Sequence, residues 1–339
     1  MNYIIEQLKK LTAIDSPSGF TSEVTQYTME QFKTLGYEPY LTNKGCVVCD
    51  LGGENNPLIL SAHIDTLGGM VAEIKRNGRL RITNIGGLNA NNCETENCRI
   101  HTRAGKTFEG TLQMNDPSIH VNGKYSKQDR NFDDMEIVID EDVKEKKDTE
   151  ALGICNGDFV CFDPRTTVTK SGYIKSRFLD DKLSVAILLG LAKDIREKKL
   201  QLKRKIYVFI TVYEEVGHGS CGALPEDAEE IISVDMGCIG EGLTCTEHMV
   251  SICAKDSNGP YDYDVTTNLI RCAENGKLDF AVDVYPHYGS DADAALSAGY
   301  DLKHGLIGPG VYASHGYERS HIDGVNNTLK LLEIYIKQE

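Results

Sequence analysis

The chain lacks the segments by which membrane proteins and exported proteins are recognised. No run approaches the roughly 18 consecutive apolar residues of a membrane span, and the start, Met1 to Glu6, has no basic segment or long apolar stretch typical of a secretory signal. Acidic residues also outnumber basic ones, and the 339 residues carry a formal net charge of −15. This charge argues against nucleic acid or an anionic membrane as a partner.

The eleven cysteines lack the regular spacing of a disulfide framework. Cys46-Val47-Val48-Cys49 has the CxxC pattern, but it lies in an apolar, strand-like run. Positions three apart on a strand point to opposite faces, which favours a buried structural pair. Cys93 and Cys98 have no second pair at zinc-finger spacing. Without an export signal, this pattern predicts reduced thiols in a cytoplasmic protein.

The length exceeds that of one average domain and predicts two. In the outer parts of the chain, strand-like runs such as Ile206 to Val212 alternate with helix-like runs such as Leu183 to Ile195. This alternation predicts an α/β fold, with a mixed, mostly parallel sheet sandwiched by helices. The middle of the chain is β-rich and turn-rich, which predicts an inserted small β-barrel-like domain. We assign residues 1–68 and 169–339 to the catalytic domain and residues 69–168 to the insert.

Five short segments carry the chemistry of the sequence. Each of them ends or follows an apolar run typical of a buried strand, opens a helix, or lies in a loop after such a run. In α/β sheets, ligands collect beyond the carboxyl ends of the strands. The segments offer two histidines and several carboxylates, enough for two divalent cations. They are Ala62-His63-Ile64-Asp65, Leu179-Asp180-Asp181-Lys182, Tyr213-Glu214-Glu215-Val216-Gly217, Ser233-Val234-Asp235 and Ser314-His315-Gly316-Tyr317-Glu318.

Taken singly, the first two segments have ordinary explanations. His63 alone is typical of a hydrogen-bonded histidine near a strand end. Asp65, two positions further, can point to the same side and hold the second ring nitrogen of a metal-binding imidazole. Asp180 and Asp181 stand before a helix, where aspartate commonly caps the helix or complements its dipole. A bridging position between two metals is the alternative for this pair.

Of the remaining segments, the glutamate pair points most strongly to a site. Glu214 and Glu215 follow a buried strand, and burying two like charges is costly without cations. Asp235 also follows an apolar run, although a solvated strand-end aspartate would look the same. His315 lies in a predicted glycine-rich loop from Gly308 to Gly316 and could be an ordinary loop histidine.

The order of these segments (HxD, DD, EE, D, H) resembles that of the cocatalytic zinc aminopeptidases. Within them it resembles the tetrahedral (TET) aminopeptidase, glutamyl aminopeptidase and cellulase-M-like family, over nearly the whole chain. The resemblance implies a zinc-peptidase-like fold, an insert that serves dimerisation, and a homo-oligomer built from dimers, up to a dodecamer. Further matching pieces are Ser18-Gly19, Gly157-Asp158-Phe159, Phe162-Asp163-Pro164 and Gly289-Ser290-Asp291-Ala292.

The resemblance also implies a role for each site residue. Glu214 would be the general base and acid, and Asp65 would orient His63. His321 is a second candidate for the last ligand, but it lies beyond the matching segment and opens a predicted helix. The implied metal ligands are His63 and Asp235 for one ion, Glu215 and His315 for the other, and Asp180 as the bridge between them.

The implied activity is that of an aminopeptidase that removes residues from peptides with a free N-terminus, through water activated by two divalent ions. Zinc is the expected metal, with cobalt and manganese as alternatives. A related hydrolase of acylated amino acids or small amides is the main alternative. Weaker ones are a glycoside hydrolase, which needs two carboxylates and no metal, and a non-catalytic scaffold. Thr66 and Asp293 depart from the family pattern, so substrate preference does not carry over.

Overall fold

The computed structural model describes residues 1–338, and the chain divides into two compact units. The outer unit consists of Met1–Asp65 and the chain from Arg165 onward, and the inserted unit is Thr66–Pro164. These divisions fall within a few residues of the boundaries assigned from the sequence.

The helices of the described residues belong mostly to the outer unit. Their apolar positions recur every three or four residues; in the first helix Ile4, Leu8 and Leu11 are all buried. None of the helices is long and apolar enough to span a membrane. They are α1 (Asn2–Thr12), α2 (Ser22–Thr34), α3 (Lys146–Leu152), α4 (Leu179–Glu197), α5 (Tyr263–Asn275), α6 (Asp291–Ser297) and α7 (Ile322–Tyr335).

The strands are mostly short and separated by turns. The first strands along the chain are β1 (Tyr40–Leu41), β2 (Val47–Gly52), β3 (Leu58–His63), β4 (Gly68–Ile74), β5 (Leu80–Ile85), β6 (Asn97–His101), β7 (Thr107–Met114), β8 (Met135–Ile139) and β9 (Phe159–Phe162). The later strands are β10 (Thr167–Val168), β11 (Tyr173–Ser176), β12 (Ile206–Thr211), β13 (Glu230–Val234), β14 (Gly237–Cys238), β15 (Val250–Lys255), β16 (Phe280–Val284), β17 (Lys303–Val311) and β18 (Glu318–His321).

One nine-stranded sheet organises the outer unit, in the order β1-β2-β12-β3-β13-β17-β15-β16, with β14 beside β17. Its centre is parallel: β12, β3, β13 and β17 run in the same direction. Every residue of β3 and β12 is buried, as their continuous apolar sequences require of strands covered on both faces. The predicted mixed, mostly parallel sheet is therefore confirmed.

The inserted unit is a closed barrel in the strand order β4-β5-β8-β7-β6-β9, with antiparallel neighbours. Its strands alternate between interior and exterior positions. In β7, for example, Gly110, Leu112 and Met114 are buried while the residues between them are partly exposed. The predicted β-barrel-like insert is confirmed as a barrel.

The strand β17 corrects one expectation from the sequence. Gly308 and Gly310 belong to this strand, so the predicted loop begins only after Val311. A Cβ atom at position 308 would lie 1.3 Å from the main-chain oxygen of Asp235. The glycine therefore marks a close approach between neighbouring strands instead of a loop.

Candidate functional site

Adjacent parallel strands bring four of the five segments to one edge of the main sheet, and the remaining segment, with Asp180, begins α4. Thr211 at the end of β12 lies opposite His63 at the end of β3, and β13 pairs with β3 on its other side. β17 continues the parallel arrangement, with Ile307 opposite Val234. The residues that follow these strand ends, including Asp235, therefore meet at the same edge.

Asp180 lies between the two histidines of the site. Its Oδ1 atom is 2.9 Å from Nε2 of His63, and its Oδ2 atom is 3.5 Å from Nε2 of His315. Asp180 has non-helical backbone angles although it stands at the start of α4, and the peptide bond that follows it is cis. One oxygen of its carboxylate faces each imidazole, as in a bridging carboxylate.

Two groups of side chains around His63 place ligand-type atoms within 4.8 Å of one another. The first group adds Asp180 and Glu215, and the second adds Asp181 and Asp235. The structure therefore brings His63, Asp180, Glu215 and Asp235 together. Asp181, which had no role in the sequence assignment, also accepts a hydrogen bond from the main-chain N–H of His63 at 3.2 Å.

His315 completes this cluster from the loop after β17. Its Nε2 atom lies 3.6 Å from Oε2 of Glu215, in addition to its contact with Asp180. The side chain of His315 is 40% exposed, whereas that of His63 is 2% exposed. The five residues assigned to metal binding thus form one cluster with a buried end and an open end.

Asp65 links His63 to the loop that carries Glu214. Its main-chain oxygen is 3.0 Å from Nδ1 of His63, while its carboxylate is further away at 3.7 Å. That carboxylate accepts hydrogen bonds from the main-chain N–H of Glu214 at 3.1 Å and from the hydroxyl of Ser18. Oε2 of Glu214 lies 3.7 Å from Nε2 of His63. Asp65 therefore contacts the imidazole mainly through its backbone and the Glu214 loop through its side chain.

Glu318 is a buried residue of the site to which the sequence assigned no role. One of its carboxylate oxygens accepts the main-chain N–H of His315 at 3.0 Å, and the other accepts that of Asp180 at 3.1 Å. β18 pairs with β11, with Glu318 opposite Ser176, and this pairing delivers the carboxylate between the two segments. Its place in the fifth segment was the available signal, but nothing local distinguishes it from a solvated glutamate.

His321 is not part of this cluster. It is the N-cap residue of α7, where its Nδ1 atom accepts the main-chain N–H of Asp323 at 3.1 Å. Its Nε2 atom is 2.8 Å from the main-chain oxygen of Ser171. Both ring nitrogens are thereby engaged in capping and packing, so the structure favours His315 over His321 as the candidate ligand.

Burial and mutual repulsion shift the ionisation of the cluster. Burial raises the pKa of Glu214 well above its usual range, and the nearby charge of Asp235 adds to this effect. Burial and the charge of Asp180 raise the pKa of Asp235 to about 7. Burial lowers the pKa of His315, but the carboxylates of Asp180 and Glu215 outweigh it and bring the pKa to about 10. Without cations, Glu214 and Asp235 therefore hold their protons more tightly than exposed carboxyl groups do.

The donor set fits divalent metal ions. In the described part of the chain, no lysine or arginine forms an ion pair with Asp180, Glu214, Glu215 or Asp235. When Nδ1–H of a neutral His63 donates to the main-chain oxygen of Asp65, the Nε2 lone pair faces the carboxylates, as in a metal-binding imidazole. Two imidazoles among carboxylates match the preference of Zn²⁺ and similar ions.

A cavity of about 550 Å³ opens beside this cluster. Four of the five predicted ligands and Glu214 line it, His63 being the exception, and Asn258, Ser290 and Asp293 are also among its lining residues. This volume is in the range of pockets that bind small ligands or the end of a peptide.

Comparisons with known proteins agree with this arrangement. The sequence pattern of the family described as M42 glutamyl aminopeptidase matches residues 45–331. The chain is 45% identical over 335 residues to the Bacillus subtilis (strain 168) protein named "Putative aminopeptidase YhfE", with coverage of 98% of this chain and 97% of that protein.

Two solved structures have the same fold at lower sequence identity. Aminopeptidase APDkam598 from the archaeon Desulfurococcus kamchatkensis is 22% identical, with a TM-score of 0.88 over 100% of this chain and 95% of that chain. The TET1 peptidase of Pyrococcus horikoshii is also 22% identical, with a TM-score of 0.86 over 99% of this chain and 100% of that chain.

The fold is therefore that of the TET peptidases, with a mixed sheet and an inserted barrel. The chain belongs to the M42 glutamyl aminopeptidase family. It is accordingly an aminopeptidase, a hydrolase that acts on peptide bonds, and the resemblance inferred from the five segments is confirmed.

Proposed function

We propose that this aminopeptidase uses two divalent metal ions to remove N-terminal residues from peptides. The observation that carries the proposal is the position of Asp180, whose two oxygens face His63 and His315. Zinc is the expected metal, and cobalt and manganese are compatible with the same donors. The proposed ligands are His63 and Asp235 for one ion, Glu215 and His315 for the other, and Asp180 between them.

Bound divalent ions supply Lewis acidity, which polarises a carbonyl group and lowers the pKa of water. The protein supplies the proton transfer. Glu214 lines the cavity, and its carboxylate reaches toward Nε2 of His63 at 3.7 Å. We assign Glu214 as the group that takes a proton from the attacking water and delivers it to the leaving amine.

Asp65 holds this proton-transfer group in place. Its carboxylate receives the main-chain N–H of Glu214, and its main-chain oxygen faces Nδ1 of His63. A fixed loop keeps the Glu214 carboxylate at the cavity side of the cluster, which is the geometry that general acid–base catalysis requires.

The charge of the cavity supports the preference for a free N-terminus. Besides the proposed metal ligands, its wall includes the carboxyl groups of Glu214 and Asp293, and none of the described residues that line it is a lysine or an arginine. A protonated α-amino group is attracted to such a wall, whereas an acylated amine carries no charge. This difference favours exopeptidase action over the hydrolysis of acylated amino acids.

We also propose that the protein forms a homo-oligomer whose dimers are built through the inserted barrel. The support comes from the Pyrococcus horikoshii relative, which is described as assembling into a tetrahedron or a large octahedral shell. Light scattering of the full-length protein tests this assembly. A cytoplasmic location stays a prediction, which the eleven free cysteines favour.

A paired substrate screen tests the proposed reaction. Purified protein is given aminoacyl p-nitroanilides with varied side chains, each with a free or an acetylated amino group. We expect cleavage of the free series only, and only after loading with divalent metal. Cleavage of acetylated amino acids in preference to the free peptides would instead identify the hydrolase of small amides.

A further inference from the structure

Asp293 presents a carboxyl group in the wall of the cavity, and the carboxyl group of Asp256 is buried behind it. Asp293 lines the cavity and is 9% exposed, while Asp256 is completely buried. The hydroxyl of Tyr261 lies 2.8 Å from Oδ2 of Asp256 and 3.2 Å from Oδ2 of Asp293. One phenol thus joins both carboxyl groups.

No cation of the described residues neutralises this pair. The neighbouring ammonium group of Lys255 donates to the main-chain oxygen of Asp256 at 2.7 Å and forms no ion pair with its carboxylate. Burial raises the pKa of Asp293 to about 7, and the adjacent Asp256 contributes to the increase. Asp293 therefore holds its proton more tightly than an exposed aspartate does, and a cation placed beside it would favour the charged form.

Helix capping accounts for only part of this arrangement. Asp293 and Ser290 form a capping box at the start of α6, and Oδ2 of Asp293 accepts the main-chain N–H of Ser290 at 3.1 Å. A capping box needs one carboxylate. It does not explain why Asp256 is buried beside Asp293 without a cation, or why Asp293 lines the cavity.

We propose that Asp293, with Asp256 buried behind it, recognises the cationic side chain of a substrate whose first residue is lysine or arginine. This inference rests on the proposed function, because Glu214 of the reaction site lines the same cavity as Asp293. A substrate glutamate would meet carboxylates with no lysine or arginine among the described lining residues to pair with. An apolar side chain would leave the carboxyl pair desolvated and without a charged partner.

The test compares kcat/KM for the p-nitroanilides of lysine, norleucine and glutamate on the full-length, metal-loaded enzyme. Norleucine has an unbranched chain like that of lysine but lacks the charge. We expect the lysine substrate to exceed norleucine by about tenfold or more, as a charge-assisted pair would provide. In Asp293→Asn, which keeps an oxygen acceptor for Ser290, that ratio should fall by about tenfold.

Asp262→Asn is the matched control, because Asp262 caps α5 through its side chain without lining the cavity. It should leave the lysine-to-norleucine ratio unchanged. If Asp293→Asn does not fold, inhibition of the unaltered enzyme by lysinamide and norleucinamide measures the same preference. Equal use of lysine and norleucine, a preference for glutamate, or an unchanged ratio in Asp293→Asn would overturn the inference while leaving the aminopeptidase intact. If the enzyme cleaves none of the three substrates, the proposed function is overturned as well.

Discussion

Oδ1 of Asp180 lies 2.9 Å from Nε2 of His63, although 117 positions separate the two residues in the sequence. The second oxygen of the same carboxylate faces His315 at 3.5 Å. One side chain therefore connects the buried and the exposed imidazole of the cluster. This relationship makes Asp180 the residue whose loss should affect both proposed metal sites.

We expect Asp180→Ala to lose most bound metal from both sites, because it removes the carboxylate between the two imidazoles. Metal analysis of the purified variant gives the number of ions per subunit. Asp264→Ala is a suitable control, since its carboxylate is 78% exposed and pairs only loosely with Lys303 at 3.4 Å. A metal content equal to that of the parent protein would remove Asp180 as the bridging residue.

Removal of metal by a chelator should abolish hydrolysis of free aminoacyl substrates, and added Zn²⁺, Co²⁺ or Mn²⁺ should restore it. The metal-free protein should also melt at a lower temperature, because bound cations stabilise only the folded carboxylate cluster. Activity assays and thermal scans on the same samples check both effects. Full activity after complete chelation would refute the metal mechanism.

Glu214→Gln should keep its metal content and lower kcat by about 10²- to 10⁴-fold, the usual contribution of a general base. Glutamine has nearly the same shape but cannot accept the proton of the attacking water. Metal analysis and steady-state kinetics on one preparation separate the two effects. If turnover persists at the parental rate, proton transfer belongs to another group.

Glu318→Gln should weaken metal binding by about tenfold, which is the lower range for residues that position metal ligands. The main-chain N–H groups of His315 and Asp180 now donate to the two carboxylate oxygens. In glutamine, the amide NH2 group would face one of these N–H groups, and that hydrogen bond would be lost. Competition with a metal indicator measures the affinity. Glu247→Gln is the control, since its carboxylate pairs with Arg319 beside Glu318. Equal affinities in the two variants would contradict a positioning role.

Gly308→Ala should destabilise the protein by about 3 kcal/mol or more, beyond ordinary overpacking. Its Cβ atom would lie 1.3 Å from the main-chain oxygen of Asp235, and a backbone atom cannot move aside as a flexible side chain can. Urea unfolding measures the loss. Gly240→Ala, where a Cβ atom meets nothing within 4 Å, should be nearly neutral. Similar stabilities would mean that the strands can separate at little cost.

Local sequence patterns were sufficient to predict the α/β fold and the inserted barrel. The continuous apolar runs of β3 and β12 predicted buried central strands, because only a sheet covered on both faces hides such runs. The alternation of strands with helices predicted the α/β sandwich, and the turn-rich middle predicted the inserted barrel. The order of the acidic and histidine segments was enough to identify the family.

Other features were decided only by tertiary structure, because they depend on contacts between distant segments. The start of α4 and the loop after β17 place Asp180 between His63 and His315, and the pairing of β18 with β11 positions Glu318 against Asp180 and His315. The sequence marked Asp293 as unusual, but Asp256 lies 37 positions earlier, and packing alone brings the two carboxyl groups to one tyrosine. Periodicity along a chain specifies which faces are buried, whereas the partners across those faces follow from how the elements pack.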